Sequence, residues 1–281
     1  MIATRHNLGT GIGWRPELAL MIARRARLRF VEVVAENIDP CAIPLPLQQL
    51  RERGVKIIPH GVSLSLGGAD PLDRNRADRL GRLAIELDAP FVSEHAAFVR
   101  AGGVETGHLL PMPHTHDMLD VLVSNVLAAK SILPVPLALE NIATLFEWPG
   151  AEMDEATFLA EALERTDTLL LLDVSNLYAN SRNHGFDPLS YIDRLPLERL
   201  AYAHVAGGVE RDGLYHDTHA HAIARGALDL LEELCARVTP SGVLLERDDG
   251  FPPDAEMEAE LDAITASVER GSRRREVARA S

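Results

Sequence analysis

The stretch LLLLDVSN, residues 169–176, decides the fold. Four leucines followed by a carboxylate read as a short strand apolar on both faces, the kind that parallel sheets bury between two layers. A carboxylate at the end of such a strand needs donors or a cation to offset its desolvation. Asn176 stands three residues past Asp173 across a strand-to-loop turn, close enough to share an ion with it. The arrangement recurs along the chain. VKIIPH ends at His60, PFVSEH at His95, VPLALE at Glu140, LAYAHV at His204 and GVLLE at Glu246, while HDTH supplies Asp217 and His219. A lone His after a strand is usually just hydrogen-bonded or solvated. Repetition of ligand-type residues at successive strand ends points instead to one shared, polynuclear metal centre. A closed parallel barrel produces that convergence, because it gathers the C-terminal ends of all its strands at one mouth.

Working outward from residue 169, eight short apolar or β-branched runs read as strands: 9–14, 30–35, 55–59, 91–94, 136–140, 169–173, 200–205 and 243–246. Helical spacing fills the gaps at 16–27, 73–87, 154–163 and 227–238, and Thr115 is placed to cap another helix through Met118, Leu122 and Val126. Alternation of strand and helix implies parallel pairing with right-handed crossovers. The expected fold is therefore α/β, a single (β/α)8 TIM barrel over residues 1–265. Residues 96–113 and 206–224 read as long loops leaving the mouth. The basic end of the chain, 266–281, includes GSRRREVARAS, lacks a core face and is expected to be a flexible tail, either a frayed helix or a disordered end.

With 281 residues and 46% hydrophobic content the chain can bury one barrel-sized core. A formal net charge of −14 argues against a nucleic-acid partner, whose phosphates are held chiefly by Lys and Arg. No apolar run reaches the length that spans a bilayer, and no signal peptide is legible, so a membrane partner is not expected. Cys41 and Cys235 show no pairing motif and are read as reduced and at least partly buried, which suits a cytoplasmic enzyme.

The ligand set mixes imidazole and carboxylate without thiolate. That suits iron, manganese or zinc in a working site, not structural zinc and not calcium. Glu140 and Glu246 could each bridge two ions. Asp217 and His219, two apart in an extended segment, would point the same way and clasp one ion. Glu94, next to His95, is expected to face the helix layer or an outer ligand shell. His216 and His221 are weaker ligand candidates, and His6, His108, His114, His116 and His184 are read as surface or loop residues. No dinucleotide loop, phosphate loop or serine-nucleophile elbow is present in the sequence.

The ligand order His, His, Glu, Asp-x-x-Asn, His, Asp-x-His, Glu resembles that of the xylose isomerase and endonuclease IV-like barrels. Together with GIGWRPEL, VEVVAEN, HGVSLSLGG, LALEN, LLLDVSNLYANSRNHGFDP, YAHVAGG and HDTHAHAI, it resembles most closely the multinuclear non-heme iron-dependent oxidative enzymes, the group that includes the methanobactin-biosynthesis oxidase. The resemblance covers roughly residues 9–250. It implies iron ligands at His60, His95, Glu140, Asp173, Asn176, His204, Asp217, His219 and Glu246, with Asp217, His219 and Glu246 also expected to serve the reaction. It further implies two or three irons in mixed valence and O2 as co-substrate. The expected substrate is a ribosomally made precursor peptide modified at residues such as cysteine, and a small leader-binding protein is a further expected partner. Other readings of such a barrel are a divalent-metal phosphoesterase or endonuclease and a sugar isomerase. Asn176 in place of His and the acidic charge weigh against the first. Against the second stands the lack of an obvious lysine or paired acid–base set beside the metals.

Overall fold

The computed structural model describes residues 7–280; Met1–His6, and with them His6, and Ser281 lie outside the described residues. Eight parallel strands close into a barrel: β1 (Gly9–Gly13), β2 (Phe30–Val34), β3 (Lys56–Gly61), β4 (Val92–His95), β7 (Leu137–Glu140), β8 (Leu169–Asp173), β9 (Leu200–Val205) and β12 (Gly242–Leu245). Around the barrel β1 pairs with both β2 and β12, so no strand edge is left open. The expected TIM barrel is therefore the fold, with strand limits within two residues of those read from the sequence.

The alternation of side chains along each strand builds the site. Phe30, Ile58, Phe91, Ala138, Leu171, Tyr202 and Leu244, in or just before seven of the eight strands, belong to a buried apolar cluster that plugs the barrel. Two residues further on, the same inward face carries Glu32, His60, Ser93, Glu140, Asp173, His204 and Glu246, and in β4 a further step reaches His95. Opposite faces of the strands meet the helices in a second, larger apolar cluster. The polar layer thus sits on a dry floor and looks out of the C-terminal mouth.

The helices are α1 (Ala19–Arg24), α2 (Leu45–Glu52), α3 (Arg74–Glu86), α4 (His116–Lys130), α5 (Glu155–Thr166), α6 (Val174–His184), α7 (Pro188–Arg194), α8 (Arg225–Arg237) and α9 (Asp254–Ala280). Thr115 caps α4 by accepting from Met118 N, as its position in the sequence implies. Three readings are corrected. Both long loops contain β-hairpins, β5 (Phe98–Ala101) with β6 (Val104–Leu110) and β10 (Gly208–Arg211) with β11 (Leu214–Asp217). Cys235 is buried but Cys41 is exposed. The stretch expected to be a flexible tail continues α9 through Ala280. Its contact face is made of small residues and ion pairs in place of an apolar stripe. Ser267 and Gly271 are buried against α8, Arg270 and Arg274 pair with Glu232 and Glu233, and Arg275 donates to the Cys235 carbonyl. Among the described residues no helix is long and apolar enough to cross a membrane.

A Cβ at Gly271 would lie 2.4 Å from the Glu232 carbonyl oxygen, so α8 and α9 can meet only because that side chain is absent. Gly271→Val should cost about 1–3 kcal/mol through this overlap, read as a lower urea midpoint with an unchanged slope.

Candidate metal centre

Strand register sets the first contacts. His95 lies beside Glu140 across β4 and β7, and Asp173 lies beside His204 across β8 and β9. Glu140 is fully inside. Its Oε2 stands 3.4 Å from both His60 Nε2 and His95 Nε2, and its Oε1 stands 3.2 Å from His204 Nδ1. Glu246 sits just past β12, with Oε2 3.2 Å from His204 Nδ1 and 3.4 Å from His219 Nδ1. Each carboxylate therefore spans two groups of imidazoles, the arrangement a bridging ligand requires. Ligand atoms of His60, His95 and Glu140 form one compact group, those of Glu140, Asp173, His204 and Glu246 a second, and those of His219, Glu246 and Asp248 a third.

Asp173 has a double role that the sequence reading missed. It is the N-cap of α6, its Oδ1 accepting from Ser175 N at 2.6 Å and Asn176 N at 2.8 Å. The residues after it begin a helix, where a loop was expected. Its other oxygen, Oδ2, is buried with no partner. Asn176 stands in the first turn of α6 and donates from Nδ2 to the Asn141 carbonyl at 2.9 Å, leaving its amide oxygen as the remaining ligand atom. Asn141 in turn exchanges two hydrogen bonds with the Asp173 backbone, which ties the ends of β7 and β8 together.

Asp217 closes β11 and touches His219 Nε2 directly through Oδ2. The pair meets as expected, although not by strand alternation. The strand ends at Asp217, and His219 adopts a left-handed backbone (φ 52°). Asp248, which the sequence reading passed over, fixes His219 through Nδ1 at 3.1 Å and is itself held by Arg15. The His219 side chain is 17% exposed, whereas the Asp217 carboxylate, His204 and Asp173 are buried.

Three further residues orient the imidazoles. Tyr202 donates its hydroxyl proton to Glu32 Oε2 at 2.5 Å, so Ser93 must donate to the Tyr202 oxygen at 2.7 Å and His60 Nδ1–H to Ser93 at 2.8 Å. His204 Nε2–H reaches the same Glu32 oxygen at 2.9 Å. One buried carboxylate thus fixes the tautomers of two histidines, turning His60 Nε2 and His204 Nδ1 toward the centre. Glu32 was legible as a lone acid inside FVEVV, at an inward position of β2. Glu94 supports the opposite wall, accepting from His95, Ser63 and Leu64 backbone N–H groups. Glu36 accepts from Val62 N in the same loop.

The weaker histidine candidates stay outside. His108 and His116 are exposed, and exposed His221 bonds Thr218. His216 pairs with Val209 in the hairpin, and His114 and His184 line a separate cavity.

Electrostatics of the centre call for positive charge. Burial pushes the Asp173 carboxyl up to about 7, with the nearby Asp217 and Glu140 charges adding to it. Burial opposes charge on Glu140 and Glu246 too. Imidazoles overcome it in both cases, His204, His95 and His60 holding Glu140 below the usual carboxylate range and His219 and His204 holding Glu246 well below. The same pairing, acting against burial, lifts His95 to about 9 and His204 and His219 well above an ordinary imidazole. Buried Glu140 Oε2, Asp173 Oδ2 and Asp217 Oδ1 find no hydrogen-bond partner. Unpartnered acceptors of this kind, converging on one space, fit divalent cations that would displace the imidazole protons.

A family model described as RiPP precursor modification enzyme MbnB/TglH/ChrH matches residues 9–269. The chain belongs to this family. RiPP denotes a ribosomally synthesised and post-translationally modified peptide. A UPF0276 protein of Streptomyces avermitilis is 52% identical over 280 residues, covering 97% of this chain, which spans 58% of that relative's length. A UPF0276 protein of Caulobacter vibrioides is 35% identical over 272 residues, covering 94% of this chain and 96% of its own. Among solved structures, endonuclease IV from Thermus thermophilus superposes with a TM-score of 0.61 at 20% identity, over 93% of this chain and 99% of that one. That likeness is one of fold.

Glu32→Gln should loosen both His60 and His204 and weaken metal binding about 10–100-fold, the usual effect of removing such a support. Competition with a chromogenic chelator measures it, and Tyr202→Phe, which cuts only the His60 branch, should fall between this variant and the parent.

Proposed function

We propose that this chain is a multinuclear, O2-dependent iron oxidase that modifies residues, cysteines foremost, of a ribosomally synthesised precursor peptide. The observation that carries the reading is the pair of carboxylates, Glu140 and Glu246, each set between imidazoles on both sides in the mouth of a barrel of this family. Ions could be held by His60, His95 and Glu140, by Glu140, Asp173, His204 and Glu246, and beside His219, which has Glu246 and Asp248 at Nδ1 and Asp217 at Nε2. Asn176 completes the inner set through its amide oxygen.

Nitrogen and oxygen donors without thiolate suit iron, as they do manganese or zinc, and bound iron would bring the one-electron chemistry toward O2 that no side chain here possesses. The protein's own part is positional. His60 and His204 are locked by the Glu32 network, so His60 Nε2 and His204 Nδ1 face the centre before any ion arrives. The apolar plug beneath Glu140 and His204 keeps water from entering from below. Asp217, His219 and Glu246 stand on the half-open side, where a peptide segment can approach, and Arg15 with Asp248 braces that side. His219, with 17% of its side chain exposed, is the group best placed to take or return a substrate proton, and Asp217 at its Nε2 can share that proton. A small leader-binding protein fits this reading as the second partner.

His60→Ala, His204→Ala and Glu246→Ala should each lower iron content in anaerobically purified protein without loss of the folded circular-dichroism spectrum. Retention of full iron by all three variants would remove the ligand assignment. The parent protein should take up O2 in the presence of its genomically adjacent cysteine-bearing peptide. Phosphodiester cleavage with zinc and no O2 uptake would instead make it a hydrolase.

A further inference from the structure

A cavity of about 360 Å³ is lined by none of the metal-ligand candidates. Its walls come from three segments of chain that follow ligand residues in sequence. Pro111 and Met112 follow the hairpin that begins after His95, the segment from Thr144 to Asp154 follows Glu140, and Phe186 and Tyr191 follow the helix capped by Asp173. Asn180 of α6 joins two of these walls by accepting from Thr144 N and donating to the Ile142 carbonyl. The cavity is therefore part of the same face as the metal ligands.

Its lining is aromatic and acidic. Phe146 and Trp148, edge-to-face with ring centroids 5.4 Å apart, are 45% and 40% exposed at its rim, and the Trp148 indole N–H donates to the Pro111 carbonyl. Deeper in stand Glu155 and Tyr191. The Tyr191 hydroxyl is buried without a hydrogen-bond partner, and Glu155 has only a long contact, 3.4 Å, from Asn180 Nδ2. Arg194 is the one cationic side chain lining the cavity, and it is committed to Asp154. Burial holds His114 toward its neutral form, and His184 is tied to Thr144. Glu147 and Glu155 are left without a countercharge. Burial first, and then Glu147 and Asp154, push the Glu155 carboxyl up to about 7, the response of a carboxylate that lacks a cation.

We infer that this cavity takes a basic side chain, lysine or arginine, of the substrate peptide: the aromatic rim packs on its alkyl stem while Glu155, Glu147 and the Tyr191 oxygen receive its N–H donors. The assignment of the occupant to a peptide rests on the proposed function. The cation preference rests on the cavity alone, and it would place the modified residue by anchoring a neighbouring one.

The test uses the full metal-free chain at pH 8 and three probes, Nα-acetyl-lysine methylamide, its arginine analogue and its neutral norleucine analogue. The readout is the indole N–H resonance of Trp148. Lysine and arginine probes should shift it saturably and norleucine should not. Glu155→Gln should weaken the binding by about tenfold, and Trp148→Ala, at the exposed rim where folding is not at stake, should weaken it as well when followed by calorimetry. Equal binding of norleucine, or no shift with any probe up to its solubility limit, would overturn the inference. Neither result depends on iron or on turnover. Loss of this site would leave the oxidase reading standing, and an inactive oxidase would leave the probe result unchanged.

Discussion

Glu140 is the constraint on which the rest of the site depends. It is a carboxylate with 1% of its surface exposed, at the end of an apolar strand, approached by three imidazoles and by no backbone donor. An isolated charge in that position would cost several kcal/mol. The barrel meets the cost by bringing His60, His95 and His204 from three other strands to within 3.4 Å. That convergence requires the strand register observed, because a slip of one residue in β3, β8 or β9 would turn the ligand into the helix layer. Closure of the barrel, which ties every strand to two neighbours, fixes the register and so fixes the site.

Much of this was legible in the sequence, for a definite reason. Strands buried on both faces appear as short uninterrupted apolar runs, and a His, Glu or Asp at their ends stands out against that background. The ends of β8 and β9 matched to the residue. Residues that act through other residues were harder to see. Glu32 is a single acid in FVEVV, and only its partner across the barrel, His204, gives it meaning. Asp173 could be read as a ligand but not as a helix cap, because both roles use the same side chain and the apolar run drew attention to only one. Asp248 looks like a solvent-facing acid until Arg15 and His219 are seen against it.

The hairpins were missed although their signals are present. Gly102 and Gly103 both have positive φ between β5 and β6, and Asp212 with Gly213 does the same between β10 and β11, the pairs that two-residue hairpin turns favour. Their strands, FVRA, VETGHLL, GVER and LYHD, mix apolar and polar residues without regular alternation, so no period of two announced them. The end of α9 was hidden for the opposite reason. Its contact face is made of Ser267, Gly271 and arginine stems, which hydrophobic periodicity does not register. Fold and chemistry also separate clearly here. The barrel of Thermus thermophilus endonuclease IV superposes at 20% identity, so the scaffold permits more than one activity. The proposal of peptide modification rests on family membership and on the imidazole–carboxylate set at the mouth.

The central claim is that the mouth holds more than one iron ion through shared carboxylates. Mössbauer spectroscopy of anaerobically purified protein, read with its elemental analysis, tests that most directly. The account predicts more than one iron per chain, with spin-coupled ferric and ferrous components that Glu140→Gln abolishes together. A single uncoupled ferrous site, or a full complement of zinc with no iron, would contradict it.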